Sequence, residues 1–204
     1  MAEVIVAAIT ALSPWEASAA VLAIAYLLLA AREHIACWLC AFVSTAIYTA
    51  LFWHVSLLMD SALNIYYMAM AGFGWYQWRH GSASGGQLAI STWPVRRHLL
   101  VIGTVIALAL ITGKTLSVYT AAAWPYVDSL TTWGAVITTY MVARKVLENW
   151  LYWFVLDAIS IPLYIERGLH VTAALFAIYL VIVVIGFFSW QRQYLAAHHA
   201  PHPA

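Results

Sequence analysis

The chain has 204 residues, of which 65% are apolar and only 8% charged, with a formal net charge of +1 and a mean hydropathy of +0.85. A water-soluble domain carries about a quarter charged residues, so this composition excludes one. The near-zero net charge gives no sign of nucleic-acid binding.

In chain order, Met1 to Leu12 are apolar but lack the basic start and small-residue cleavage pattern of a targeting signal. A membrane-spanning helix needs about 20 mostly apolar residues. Seven stretches qualify, approximately Pro14–Ala31, Ile35–Trp53, Leu57–Trp78, His98–Thr112, Ala122–Val142, Trp150–Ile165 and Val171–Trp190. Charge, Gly, Pro and Ser separate them: Arg32-Glu33, His54, the polar stretch 79–97, Gly113-Lys114, Arg144-Lys145 and Glu166-Arg167-Gly168. From about residue 194 a tail with His198, His199 and His202 is expected to be disordered. The N-terminus and the even-numbered loops hold only Lys114 and Arg167. The odd-numbered loops and the C-terminus hold Arg32, Arg79, Arg96, Arg97, Arg144, Lys145 and Arg192. Basic residues accumulate on the cytoplasmic side, so the N-terminus is expected outside and the C-terminus inside.

The chain also repeats itself. Glu33, Trp38, Phe73 and Trp75 recur as Glu148, Trp153, Phe188 and Trp190, each 115 residues later. Fixed-period similarity in a membrane chain points to duplicated half-bundles, a common way of building transporters. Three spans (about 14–78), one linker span (about 98–112) and three more (about 122–190) make a single transmembrane domain over residues 1–204. The second triplet begins four crossings after the first, so the two run in the same direction as parallel repeats.

An ionised Asp at the centre of a span costs roughly 2.5–3.5 kcal/mol, which singles out Asp60, Asp128 and Asp157. Asp157 is the deepest; acids nearer a span end reach water. Helical spacing aligns Asp157 with Trp150, Trp153 and Tyr164. It aligns Asp60 with Asn64 and Tyr67, and Asp128 with Trp124 and Thr131 or Thr132. The second span offers Trp38, Thr45, Tyr48 and Phe52. Aromatic faces around a carboxylate suit a flat organic cation, each good cation–π contact contributing about 0.5–2 kcal/mol. Trp75, Tyr76, Trp78 and Trp190 sit at span ends beside Arg79 and Arg192, where an interfacial aromatic belt is expected. Cys37 and Cys40 read as small apolar filler rather than a metal or redox pair. Pro125 and Pro162 interrupt backbone hydrogen bonding inside spans, as static kinks or as points of bending. Neither a metal- nor a cofactor-binding pattern is present.

Three stretches resemble the PnuC-type vitamin transporters: Glu148-Asn-Trp-Leu-Tyr-Trp153 with Asp157, Ile161-Pro-Leu-Tyr164, Arg167-Gly-Leu169 and Gly186…Trp190; Asp60-Ser…Asn64-Ile-Tyr-Tyr67…Gly72-Phe-Gly-Trp-Tyr-Gln-Trp78; and Asp128-Ser…Thr131-Thr132…Ala143-Arg-Lys145. They cover most of 35–78 and 128–190. The resemblance implies a seven-helix fold similar to SWEET carriers, often assembled as a homotrimer in a bacterial inner membrane. It also implies facilitated diffusion of nicotinamide riboside, with a cytoplasmic kinase trapping the product by phosphorylation. Substrate would contact Trp150, Trp153 and Asp157 from one repeat and Asp60, Asn64 and Tyr67 from the other. Members that take nicotinamide riboside often carry an amide-bearing residue near the position of Asp157, where this chain has a carboxylate. Relatives take thiamine, riboflavin or deoxynucleosides.

Other classes fit less well. A retinal protein needs a Schiff-base lysine in its last span, and the only lysines are Lys114 and Lys145. An enzyme is disfavoured by the lack of a His-Glu-x-x-His pair or a nucleophile beside a base. A cage of aromatics binds and holds rather than conducts, which argues against a passive channel.

Overall fold

The computed structural model describes residues 13–54, 58–82, 87–120, 124–166, 168 and 170–199. Its helices are α1 Pro14–Ala31, α2 Cys37–His54, α3 Leu58–His80, α4 Val95–Tyr119, α5 Pro125–Ala143, α6 Asn149–Glu166 and α7 His170–His199. The side chain of Asp60, together with Arg167 and His202, lies outside the described residues.

Local chemistry accounts for the ends. At the start of α1 the Ser13 hydroxyl accepts from the Glu16 amide at 3.2 Å, and the Glu16 carboxylate accepts from the Ser13 amide at 2.8 Å. This reciprocal capping satisfies two donors that the first turn leaves open. Pro125 occupies the first turn of α5, where no intrahelical donor is needed, so it starts the helix instead of kinking a span. Pro162 does lie inside α6. The linker helix is longer than its apolar core, reaching Tyr119. The hydroxyls of Thr112, Thr115 and Ser117 donate to carbonyls of their own helix at 2.8, 2.9 and 2.8 Å, which keeps a polar stretch helical. Helix α7 likewise continues through 194–199, where a tail was expected to begin.

By length and composition α1, α2, α4 and α7 are apolar enough to cross a membrane. In α5 and α6 most polar positions face inward: Ser129, Thr138, Thr139, Asn149, Asp157 and Ser160 are all buried, while Leu151, Phe154, Val155 and Ile165 of α6 face outward.

Packing follows the 3+1+3 pattern. Helix α2 packs between α1 and α3, and α6 between α5 and α7; the triplets then meet through α1 against α7 and α3 against α5. Exchanging α1, α2, α3 with α5, α6, α7 turns every one of these contacts into another of the set. Only the pairing of α4 with α5 has no counterpart, as befits a linker. Gly113 and Tyr126 touch at that pairing, and the Trp133 indole donates to the Thr112 hydroxyl at 3.2 Å.

The residue register of this two-fold is 112, not the 115 read from the sequence. The Trp78 indole donates to the Val142 carbonyl at 3.1 Å, and that of Trp190 donates to the Ala30 carbonyl at 2.9 Å. The separations 142 − 30 and 190 − 78 both equal 112. A side chain on Gly74 would collide with the Trp38 ring, and one on Gly186 with the Trp150 ring, again 112 apart in both members. Trp38 meets Trp78 edge-on at 5.3 Å, and Trp150 meets Trp190 edge-on at 5.4 Å. Trp78 and Trp190 then touch across the axis at 5.9 Å. The mate of Trp38 is therefore Trp150, and the mate of Trp78 is Trp190. Both members of the second pair are buried, at 2% and 0% exposed, so they are core residues and not part of an interfacial belt. Trp75 and Tyr76, at 41% and 55% exposed, do face outward.

The same register runs through the ends of α1 and α5. Glu33 and Lys145 are mates, both with left-handed backbones (φ 54° and 49°). The Lys145 ammonium pairs with the Glu33 carboxylate at 2.6 Å and lies 4.6 Å from the centre of the Trp78 ring. Because this pair joins two helix C-termini, α1 and α5 point the same way, and the repeats are parallel. A short strap is tied to the turn after α5: the Ser91 amide donates to the Lys145 carbonyl at 2.9 Å and the Leu147 amide to the Ser91 carbonyl at 2.8 Å.

Candidate functional site: a central cavity between the repeats

Between the two triplets lies a cavity of about 260 Å³. Helix α1 contributes Ala23, Tyr26 and Leu27; α2 contributes Trp38, Ala41, Ser44 and Thr45; α3 contributes Tyr67. From the second triplet come Thr139 of α5, Trp153 and Asp157 of α6, and Phe176, Tyr179 and Val183 of α7. Every repeat helix reaches the cavity and the linker α4 does not.

Among the described residues Asp157 is the one charged side chain in this lining, and it is only 4% exposed. No described Lys, Arg or His joins it there. The neighbouring hydroxyl hydrogens are already engaged. Ser44 donates to the Ala19 carbonyl at 2.8 Å, Thr45 to Ala41 at 2.8 Å, and Thr139 to Ala135 at 2.7 Å. Their free lone pairs, with the carboxylate, make this part of the lining a set of acceptors. The aromatic rings of Tyr26, Trp38, Tyr67, Trp153, Phe176 and Tyr179 fill most of the remaining wall.

Of the residues singled out from the sequence, the cavity brings together Trp38, Thr45, Tyr67, Trp153 and Asp157. It does not include Trp150, which is 1% exposed and wedged between Gly186 and Trp190. Trp150 and Trp153 are three positions apart, about 60° round the helix, so one enters the core while the other reaches the cavity. Tyr164 stands behind the lining, its ring 5.0 Å from that of Phe176. Tyr48 stacks on Phe52 at 5.6 Å outside the lining. Asn64 is not among the lining residues, Asp128 lies in the first turn of α5, and Thr132 is exposed.

Sequence reasoning missed Tyr26, Ala41, Ser44, Thr139, Phe176 and Tyr179. The 112-residue register is the signal that finds part of this set, since it carries Tyr67 onto Tyr179 and Trp153 onto Ala41. Cys37 is buried and Cys40 partly so, both as free thiols; no metal-ligating cluster occurs among the described residues.

Comparison with known proteins now bears on the site. The model of a family described as nicotinamide mononucleotide transporters matches residues 13–192. The chain belongs to this family. A riboflavin/roseoflavin transporter, RibM of Streptomyces davaonensis, is 30% identical over 131 residues, covering 60% of this chain and 59% of that protein. The nicotinamide riboside transporter PnuC of Escherichia coli is 21% identical over 187 residues, 79% of this chain and 78% of that one. Among solved structures, the crystal structure of the vitamin B3 transporter PnuC superposes with a TM-score of 0.69 at 19% identity, covering 91% of this chain and 83% of that chain. That likeness establishes the fold. The protein is a membrane transporter and not an enzyme, and the PnuC-type vitamin-transporter resemblance of its sequence holds.

Proposed function

We propose that the protein takes up nicotinamide riboside by facilitated diffusion and that phosphorylation inside the cell retains the product. One observation carries the choice of cargo: among the described residues Asp157 is the sole charge lining an aromatic cavity, with no cationic side chain beside it. A buried carboxylate without a counter-charge is costly. A ligand with a fixed positive charge on a flat ring offsets that cost and lies against Trp153. Thiamine shares both features and is the alternative within the cationic class. A second reading, riboflavin, is favoured by the 30% identity to RibM and by the largely apolar wall, but it leaves the carboxylate without a partner.

Calorimetry with nicotinamide riboside, thiamine and riboflavin on purified protein decides among the three. Binding of either cation, with none of riboflavin, supports the charge argument; binding of riboflavin alone overturns it. The basic-residue asymmetry supports an outside N-terminus and a cytoplasmic C-terminus, and a C-terminal reporter active only outside the cytoplasm would reverse that topology. The resemblance further supports a homotrimer, which light scattering in detergent tests directly.

A further inference from the structure

The two-fold register pairs positions across the cavity itself. Leu27 and Thr139, Ala41 and Trp153, Thr45 and Asp157, and Tyr67 and Tyr179 are each 112 apart, and all eight line the cavity. The tyrosines are alike. At the other three pairs the second repeat carries the more distinctive group: an indole opposite a methyl (Trp153, Ala41), a carboxylate opposite a hydroxyl (Asp157, Thr45) and a hydroxyl opposite an apolar side chain (Thr139, Leu27). A cavity with exact two-fold symmetry would accept an asymmetric ligand equally well in two orientations. This one distinguishes the two orientations, because the Asp157 carboxylate is mated with a threonine and the two indoles in the wall, Trp38 and Trp153, are not mates of each other.

We propose that Ala41 and Thr45 are specificity-determining residues. Being the small mates of Trp153 and Asp157, they leave the recess that takes the part of the ligand beyond its ring, its sugar or side chain. Ala41 stands where the symmetric position carries an indole, a group that buries about 150–250 Å², so its methyl sets how large that part is allowed to be. Thr45 directs its hydroxyl hydrogen to the Ala41 and Phe42 carbonyls at 2.8 and 3.1 Å. Its oxygen is thereby held as an acceptor towards hydroxyls of the ligand. The two residues act together, one by size and one by hydrogen bonding.

This inference rests on the uptake reading above, and the experiment separates the two. Nicotinamide riboside, thiamine and riboflavin are titrated into full-length wild type, Ala41→Val, Ala41→Leu and Thr45→Val, with gel filtration and a melting curve for each variant. If wild type binds none of the three vitamins, the uptake reading fails. If it binds at least one, Ala41→Leu is expected to weaken that ligand at least tenfold, Ala41→Val less, and Thr45→Val severalfold, with melting temperatures near wild type. Where more than one vitamin binds, the loss at Ala41 should grow with the size of the group attached to the ring. Should Ala41→Leu not fold, Ala41→Val and Thr45→Val carry the same expectation. Wild-type affinity in a folded Ala41 variant, or a loss of equal size for every ligand, overturns the proposal.

Discussion

Trp150 and Trp153 are one turn apart on the same helix, yet they belong to different parts of the molecule. Trp150 is enclosed by Gly186 and Trp190, and truncating a buried Trp costs about 3–5 kcal/mol. Trp150→Ala is therefore expected to lower the melting temperature and the yield of folded protein. Trp153→Ala should leave the melting temperature within a few degrees of wild type and weaken the cationic vitamin about tenfold or more, the loss of a cation–π contact and its desolvated wall. Melting curves and calorimetry on both variants check the division; equal effects of the two on affinity would erase it. Asp157→Asn keeps the size of the side chain and removes its charge. It should weaken a cationic ligand at least tenfold, since truncating one partner of a buried charge pair costs about 2–5 kcal/mol, while leaving any binding of neutral riboflavin unchanged. These residues were only partly legible in the sequence. Asp157 stood out because an acid in a span is costly, and Trp153 because it shares a stripe with that acid. Helical spacing placed Trp150 and Tyr164 on the same stripe, and it could not tell a side chain that reaches the cavity from one that packs behind it.

At the scale of elements, the ends of α1 and α5 carry the contact most sensitive to a single change. Lys145 and Glu33 have side chains only 3% and 16% exposed, and removing one partner of a buried ion pair costs about 3–5 kcal/mol. Glu33→Gln and Lys145→Met should each destabilise the protein strongly, and the double variant should recover part of the loss because it leaves no unpaired charge. A double-mutant cycle read by thermal melting measures that coupling; strictly additive losses would mean that the pair contributes nothing. The seven helices were readable because apolar length is a property of composition, and the two triplets because Glu, Trp and Phe recur at a nearly correct fixed period. The register was not. Tryptophans recur three positions apart at 75 and 78 and at 150 and 153, so a slip of three residues still superposes Trp on Trp. The slip turns a helix by about 60°, which the letters alone do not penalise. Packing does penalise it, because Gly74 and Gly186 leave the space that the Trp38 and Trp150 rings occupy. The paired segments Ala31-Arg32 and Ala143-Arg144, with those glycines, were the sequence signal for 112.

For the molecule as a whole, two parallel triplets around one cavity suit alternating access by rocking of one triplet against the other. The four-tryptophan layer and the Glu33–Lys145 pair span the junction of the triplets. On one side of this layer lies the cavity, on the other a recess of about 450 Å³ lined by Glu33, His34, Trp78, Arg79, Gln87 and Lys145 among others. If cargo passes between the two spaces, the triplets are expected to part there. Ion-coupled carriers need further intramembrane acids or unwound helix segments to hold the ion. Among the described residues of the cavity lining only Asp157 is an acid, and in the proposed role it neutralises the cargo. Asp128 sits at the start of α5, well along the chain from Thr139, the cavity residue of that helix. Transport is therefore expected to be saturable equilibration without coupling, its direction set by consumption of the product. Proteoliposomes with labelled nicotinamide riboside and no ion gradient should fill to equal concentration inside and out, at a rate that saturates with substrate. An imposed proton or sodium gradient should leave that end point unchanged. Accumulation well above equilibrium would assign coupling to the carrier, and Asp128→Asn would then be the first variant to examine for its loss.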